Sequence, residues 1–279
     1  MIKAPICKII PFSNVDGPGN RMAIFFQGCP FNCWYCHNPE TINLCNHCGL
    51  CVDTCPEKAL SMIHNQVTWN EQQCISCDQC LATCPNQSSP KVKSYTTDDV
   101  MVQVDELSPF IRGLTVSGGE AMMYPEFLTE LFQKVKKYPL NILIDSNGYR
   151  PFADYPMLLD LIDGVMLDVK SIDPSFHKKL TGQDNTIVIE NLKYLISINK
   201  LYEVRIVCLP SYDEQNRKTI QQVSQIIQHH CRLKLIKYRP YGVTDNGLDI
   251  LGKETFSEVL FEEYKQLAKA FGVKDIAMI

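Results

Sequence analysis

Three cysteines in the run Cys29-Pro-Phe-Asn-Cys33-Trp-Tyr-Cys36 present thiolates at a spacing suited to a soft metal centre. Thiolates match iron in softness and charge, and four-iron clusters ordinarily take four of them. The C-x3-C-x2-C run supplies three. A cluster held this way keeps one iron open to a small molecule, so the motif points to a reactive centre. A structural metal site completed by a distant thiol, Cys7 or Cys208, is the competing reading of these residues alone.

A second pattern follows downstream. Cys45-x2-Cys48-x2-Cys51-x3-Cys55-Pro56 is repeated as Cys74-x2-Cys77-x2-Cys80-x3-Cys84-Pro85, offset by 29 residues. Each is a complete bacterial ferredoxin run, in which the fourth cysteine serves the other cluster. The expected sets are therefore Cys45, Cys48, Cys51 with Cys84, and Cys74, Cys77, Cys80 with Cys55. Zinc knuckles are the alternative, and four cysteines per run, both closing on proline, argue against them. Residues 42–93 read as a ferredoxin-like insertion binding two 4Fe-4S clusters, with 1–41 and 94–279 forming the core around it. The polar stretch QSSPKVKSYTT reads as the exit linker.

Composition sets the setting. A chain of 279 residues suffices for one large domain or a domain with an insertion. With 45% hydrophobic and 21% charged residues it is an ordinary soluble globular composition. A formal net charge of −4 leaves no basic surplus for nucleic acid. No run of about 18 apolar residues suggests a membrane span, and MIKAPICKIIPF lacks the apolar core of a signal peptide. Eleven of the fourteen cysteines fall between Cys29 and Cys84, which in a cytoplasmic protein reads as metal binding. Cys7, Cys208 and Cys231 are left as reduced packing residues.

These groups need elements to hold them. Short apolar runs predict strands at Met22–Gln27, Gly113–Ser117, Asn141–Asp145, Gly164–Val169, Glu203–Leu209 and Lys234–Tyr238. Between them lie amphipathic helical patterns, PEFLTELFQKVKKY, TIVIENLKYLISI and TIQQVSQIIQHH, and SEVLFEEYKQLAKAF follows the last strand. Strand–helix alternation implies an α/β fold with a parallel sheet, open or curled into a barrel. Ligand sites in such folds lie at the strands' C-terminal ends. There the sequence places QGCP, SGGE, DSNG, DVK and RPYG, so one rim gathers the three thiols and most unusual polar groups.

Together these motifs resemble the radical S-adenosylmethionine (SAM) superfamily, and within it the glycyl-radical enzyme activases. The resemblance runs along nearly the whole chain: Val15-Asp16-Gly17-Pro18-Gly19, GCPFNCWYCHNPE, SGGE, DSNG, MLDVK and LTG at 180–182. An insertion directly after CHNPE is similar to the activases carrying two extra clusters, with the overall pattern closest to the YjjW type. The resemblance implies a partial (β/α)6 TIM-like barrel and three 4Fe-4S clusters in all. It implies an anaerobic oxidoreductase that cleaves SAM reductively at the open cluster. The resulting 5′-deoxyadenosyl radical would take hydrogen from a backbone glycine of a partner enzyme. Reduced flavodoxin or ferredoxin is the implied electron donor, and neither nucleic acid nor membrane is an implied partner.

Carried over by position, Cys29, Cys33 and Cys36 would hold the catalytic cluster. Tyr35 and the backbone of Cys36 and His37 would lie against adenine. Gly118, Gly119 and Glu120 would meet the methionyl amino group, and Asp168 and Lys170 the ribose and carboxylate. Asp145, Ser146, Met166 and Asp168 match positions that also surround a monovalent cation in a relative. Arg205, with Asp16, would help position the partner's glycine loop. Relatives commonly carry a histidine after Pro-Tyr near the sixth strand, whereas here Pro240-Tyr241 is followed by Gly242. The rival functions are a radical SAM enzyme acting on a small molecule and a non-catalytic iron–sulfur electron carrier.

Overall fold

All six expected strands form within about two residues of their expected ends and run parallel. A computed structural model describes residues 2–254 and 256–279. In chain order its first elements are β1 (Lys3–Ser13), β2 (Arg21–Phe26), β3 (Leu60–Ile63), β4 (Gln66–Trp69), α1 (Gln79–Thr83), β5 (Lys93–Thr96), α2 (Thr97–Leu107), β6 (Gly113–Gly118) and α3 (Pro125–Val135). Then come β7 (Asn141–Ser146), α4 (Pro156–Leu161), β8 (Gly164–Asp168), α5 (Pro174–Thr181), α6 (Thr186–Ser197), β9 (Leu201–Cys208), α7 (Asp213–Ile227), β10 (Arg232–Lys237), α8 (Asp245–Leu251), α9 (Glu258–Ala270) and β11 (Ile276–Met278).

The main sheet has the order β11-β10-β9-β8-β7-β6-β2-β1-β5. From β2 to β11 every neighbouring pair is parallel, and each new strand adds on the same side of the last. A doubly wound sheet would reverse direction at a switch point. Addition on one side curls the sheet instead, giving a partial (β/α)6 barrel.

Three further strands appear that the sequence did not announce. β1 runs antiparallel to β2 and carries β5 antiparallel on its other side, Lys3 facing Thr96 and Ile6 facing Lys93. The final part of the expected exit linker is thus a strand. β11 adds a short parallel edge to β10.

Period-two alternation sorts the strand residues between two environments. Met22, Ile24 and Phe26, Leu114 and Val116, Ile142 and Ile144, Val165 and Leu167, and Val204 and Ile206 enter the apolar core beneath the helices. Full burial of each such side chain is worth about 1.5–3 kcal/mol. Their alternates face the lumen, and several are polar: Arg21, Thr115, Ser117, Asp145, Asp168, Glu203 and Arg205. The helix side carries stability, which frees the lumen to carry chemistry.

Between Thr41 and β5 the chain leaves the barrel. β3 and β4 form a separate two-stranded sheet, and Cys51, Leu60, Val67 and Cys80 make a small core of their own. The Gln27 side-chain amide ties its root to β2, donating to the carbonyls of Glu40 and Asn43 at 2.6 Å each. No helix among the described residues is long and apolar enough to cross a membrane.

Candidate functional site

The Cys29–Cys36 loop follows β2 and rests on α5. A helix leaves its last carbonyls without partners. Here the loop satisfies two of them, Asn32 N donating to Thr181 O at 2.8 Å and Trp34 N to Leu180 O at 3.1 Å. Gly182 ends the helix at φ +83°, the left-handed conformation glycine adopts readily. Beneath the loop, Tyr35, Phe176, Leu180, Tyr238, Val243 and Leu251 form a second apolar cluster. Burial pushes the Cys33 thiol up to about 12 and raises Cys29 and Cys36 as well. Only coordination by a strong positive centre reverses such a penalty, because a metal-bound thiol is deprotonated outright.

Beside the loop, SGGE forms a cradle. A Cβ on Gly118, at φ +114°, would lie 2.2 Å from Phe26 N, and one on Gly119 would lie 2.4 Å from Gly28 O. Both positions exclude any side chain and leave bare backbone at the strand end. Glu120 is buried and joins two segments through three hydrogen bonds to its carboxylate. It accepts from Met122 N at 3.0 Å, Ser146 Oγ at 2.8 Å and Asn147 N at 2.7 Å. Burial raises its pKa to about 7 despite these donors. The carboxylate therefore fixes DSNG against SGGE. Asn147 Nδ2 reaches Cys29 Sγ at 3.5 Å, linking DSNG to the thiol loop.

Charged lumen residues meet at the same rim. Strand register sets Asp145 beside Met166 and Asp168 beside Arg205. Arg205 donates to Asp145 Oδ2 and Glu203 Oε1, both at 2.8 Å, and its Nη2 lies 2.9 Å from Met166 Sδ. Burial raises the Asp145 carboxyl while the guanidinium opposes that rise. Lys170 Nζ bonds Asp168 Oδ2 at 2.9 Å and stands 5.5 Å from the centre of the Tyr35 ring. Burial alone would lower this ammonium, but Asp168 outweighs it and holds the pKa well above the lysine range. Tyr35 Oη is buried without a hydrogen-bond partner among the described residues. An orphaned hydroxyl, an ammonium and a glycine cradle together fit a polar cofactor with amino, carboxylate and ribose groups.

In the insertion, Cys55 of the first run lines one cavity with Cys74, Cys77 and Cys80 of the second. Cys51 is pushed up to about 11, chiefly by burial and then by the charges of Cys45, Cys80 and Cys84. The fourth cysteine of the first run thus lies with the first three of the second, and Cys84 lies near Cys51 and Cys45.

Asp16 and the His37 ring have partners of their own. Asp16 Oδ2 accepts from Ser13 Oγ, and its carbonyl accepts from Thr115 Oγ1 at 2.6 Å, so Asp16 and Arg205 engage separate partners. The His37 ring lies on the surface, Nε2 3.0 Å from Arg239 O. Sequence reasoning missed Arg21, Asn147 and Glu203. Arg21 is fully buried, its guanidinium donating to Thr115 Oγ1 at 2.7 Å and Asn141 O at 3.0 Å, and it floors the lumen. An arginine inside an apolar strand was the available signal.

A parallel partial barrel with three thiols and a glycine cradle at its C-terminal rim is the frame of a cofactor-dependent iron–sulfur enzyme. The chain belongs to the radical SAM superfamily, whose family model matches residues 23–223. It is 32% identical over 261 residues to choline trimethylamine-lyase activating enzyme of Oleidesulfovibrio alaskensis, covering 86% of this chain and 84% of that protein. It is 30% identical over 271 residues to indoleacetate decarboxylase activating enzyme of Tractidigestivibacter scatoligenes, covering 87% and 85%. Among solved structures, QueE of Escherichia coli shares the fold at TM-score 0.52 and 11% identity, covering all of this chain and 95% of its own.

Proposed function

We propose that this chain is the activase of a partner glycyl-radical enzyme, of the two-extra-cluster class and nearest in motif order to the YjjW type. The observation that carries the reading is a cavity of about 1050 Å³ reaching from Gly118 at the cradle past Asp16 to Glu71 and Cys74 of the insertion. Sites for drug-sized ligands occupy roughly 300–1,000 Å³; this space is as large as the largest of them and runs from the cradle to the insertion, room for an extended loop. When bound, the open cluster supplies one electron that splits SAM into methionine and a 5′-deoxyadenosyl radical, which takes a hydrogen atom from glycine.

The protein's own groups hold and orient. Cys29, Cys33 and Cys36 hold the cluster, and Asn147 donates to the first thiolate. Gly118 and Gly119 admit the methionyl amino group against bare backbone. Lys170, kept protonated by Asp168, meets the carboxylate, and Asp168 the ribose. Tyr35, with the backbone of Cys36 and His37, lies against adenine. Asp145, Ser146, Met166 and Asp168 are the candidate donors for a monovalent cation, which must share them with the Arg205 guanidinium.

Residues 42–93 form the ferredoxin-like unit with two further 4Fe-4S clusters, one on Cys45, Cys48, Cys51 and Cys84, the other on Cys74, Cys77, Cys80 and Cys55. Reduced flavodoxin or ferredoxin delivers electrons to it. The fourteen free cysteines suit the reducing cytoplasm. Reconstituted, reduced protein is expected to release 5′-deoxyadenosine from SAM without air. Mixed with the glycyl-radical enzyme encoded beside it, it is expected to give a doublet radical signal. SAM cleavage that never transfers a radical to any partner protein would refute the activase reading.

A further inference from the structure

The tryptophan at the end of β4, like Tyr35 at the rim, buries the polar atom of its ring. Trp69 Nε1 is buried, finds no oxygen or nitrogen acceptor among the described residues, and is directed at the Cys74 thiol. A buried donor left unmade costs about 1–3 kcal/mol, so an indole kept there needs an acceptor. The same ring lines the cavity shared by Cys55, Cys74, Cys77 and Cys80. Glu57, Asp78 and Gln79 also line that cavity, but Asp78 is taken by Lys91 and the indole addresses the Cys74 thiol. Two cations back the arrangement: Lys93 Nζ stands 5.5 Å from the ring centre, and Lys91, paired with Asp78, lines the cavity beside the cysteines.

The sister set is built otherwise, with the Ser88 hydroxyl 3.5 Å from Cys84 Sγ and no tryptophan. The two runs repeat, yet position 40, which matches Trp69 by the offset of the repeat, is a glutamate. Cys74 is also the only one of the eight insertion cysteines that borders the large cavity running along β1 to Gly118. The centre beside Trp69 is therefore the one next to that opening.

We propose that Trp69 is a positioning residue for that centre, its indole N–H donating to a sulfur there and setting the reduction potential of the cluster on Cys74, Cys77, Cys80 and Cys55. This rests on the two-cluster reading of the insertion. Reduction adds negative charge to the cluster, and a donor to its sulfurs stabilises the reduced form, so removing the donor lowers the potential.

The test is a redox titration of the reconstituted full chain, followed by electron paramagnetic resonance, in the parent and in Trp69→Phe. One insertion signal is expected to move to more negative potential, with the other insertion signal unchanged. Coincident titrations of parent and variant, with iron content equal, overturn the proposal. If Trp69→Phe loses the centre, Cys33→Ala protein with 15N-labelled indole decides, because Trp34 then has no adjacent cluster to couple to. A nitrogen coupling on one insertion signal supports the role, and its absence overturns it. Parent protein without two insertion clusters would instead remove the reading on which the proposal stands.

Discussion

Gly242 packs directly on the backbone of His37. At φ +79° it follows Pro240-Tyr241, and a Cβ there would lie 2.4 Å from the His37 carbonyl oxygen. On the same side, a Cβ on Gly247 of α8 would lie 2.0 Å from Trp34 O. Two glycines thus brace the cysteine loop from beneath. The position where relatives place a histidine serves here as support, and the His37 ring turns outward to Arg239 O. Gly242→Ala combines a strained φ with a backbone collision, a cost of about 1–3 kcal/mol. Lower occupancy of the open cluster, measured by iron content and visible absorbance, is expected while the insertion clusters persist.

Cys33→Ala separates the two kinds of centre. Bound iron should fall from about twelve to about eight per chain, each cubane holding four, with SAM cleavage abolished. Equal loss of all iron would mean that the insertion depends on the open cluster for its assembly.

Lys170→Met removes the ammonium held between Asp168 and Tyr35. A charge-assisted hydrogen bond contributes about 1.5–3 kcal/mol, so SAM binding is expected to weaken about 10- to 100-fold. Equilibrium dialysis with labelled SAM measures this, and unaltered cluster absorbance confirms that the centre is intact.

Arg205→Ala leaves Asp145 and Met166 facing an emptied volume. SAM binding should then depend on potassium more steeply than in the parent, because a cation can replace the lost guanidinium charge. Titration in potassium against tetramethylammonium buffers checks this, and equal salt responses would exclude a shared site.

The carboxyl of Glu120 gives a pH signature. Its folded pKa, raised by burial to about 7 from the ordinary carboxylate value of 4.5, means that the folded chain keeps a proton the unfolded chain has lost. Stability is accordingly highest below about pH 4.5 for this group and declines as pH rises to about 7, by roughly 3 kcal/mol. Urea midpoints between pH 5 and 7.5 should fall in the parent and change less in Glu120→Gln.

Much of this was legible in the chain. The six parallel strands showed themselves because apolar runs bounded by Gly, Asp and Ser are local signals, and the thiol and glycine motifs because their residue types tolerate few other uses. β1 was not legible: Pro5 and Pro11 interrupt its pattern, and its pairing with β5 depends on an insertion that returns the chain to it. Asn147 and Glu203 act through residues far away in sequence, and Gly242 looked like a lost contact because no local pattern reveals the carbonyl it accommodates.

Order of synthesis gives the cysteine loop a further property. Its supports, Leu180, Thr181, Gly242 and Gly247, emerge from a ribosome long after Cys29, whereas the insertion's eight thiols lie within forty consecutive residues. A nascent chain can close its ferredoxin-like part while the three-thiol loop still lacks its props. The loop that holds the reactive centre is therefore among the last parts of the fold to be completed.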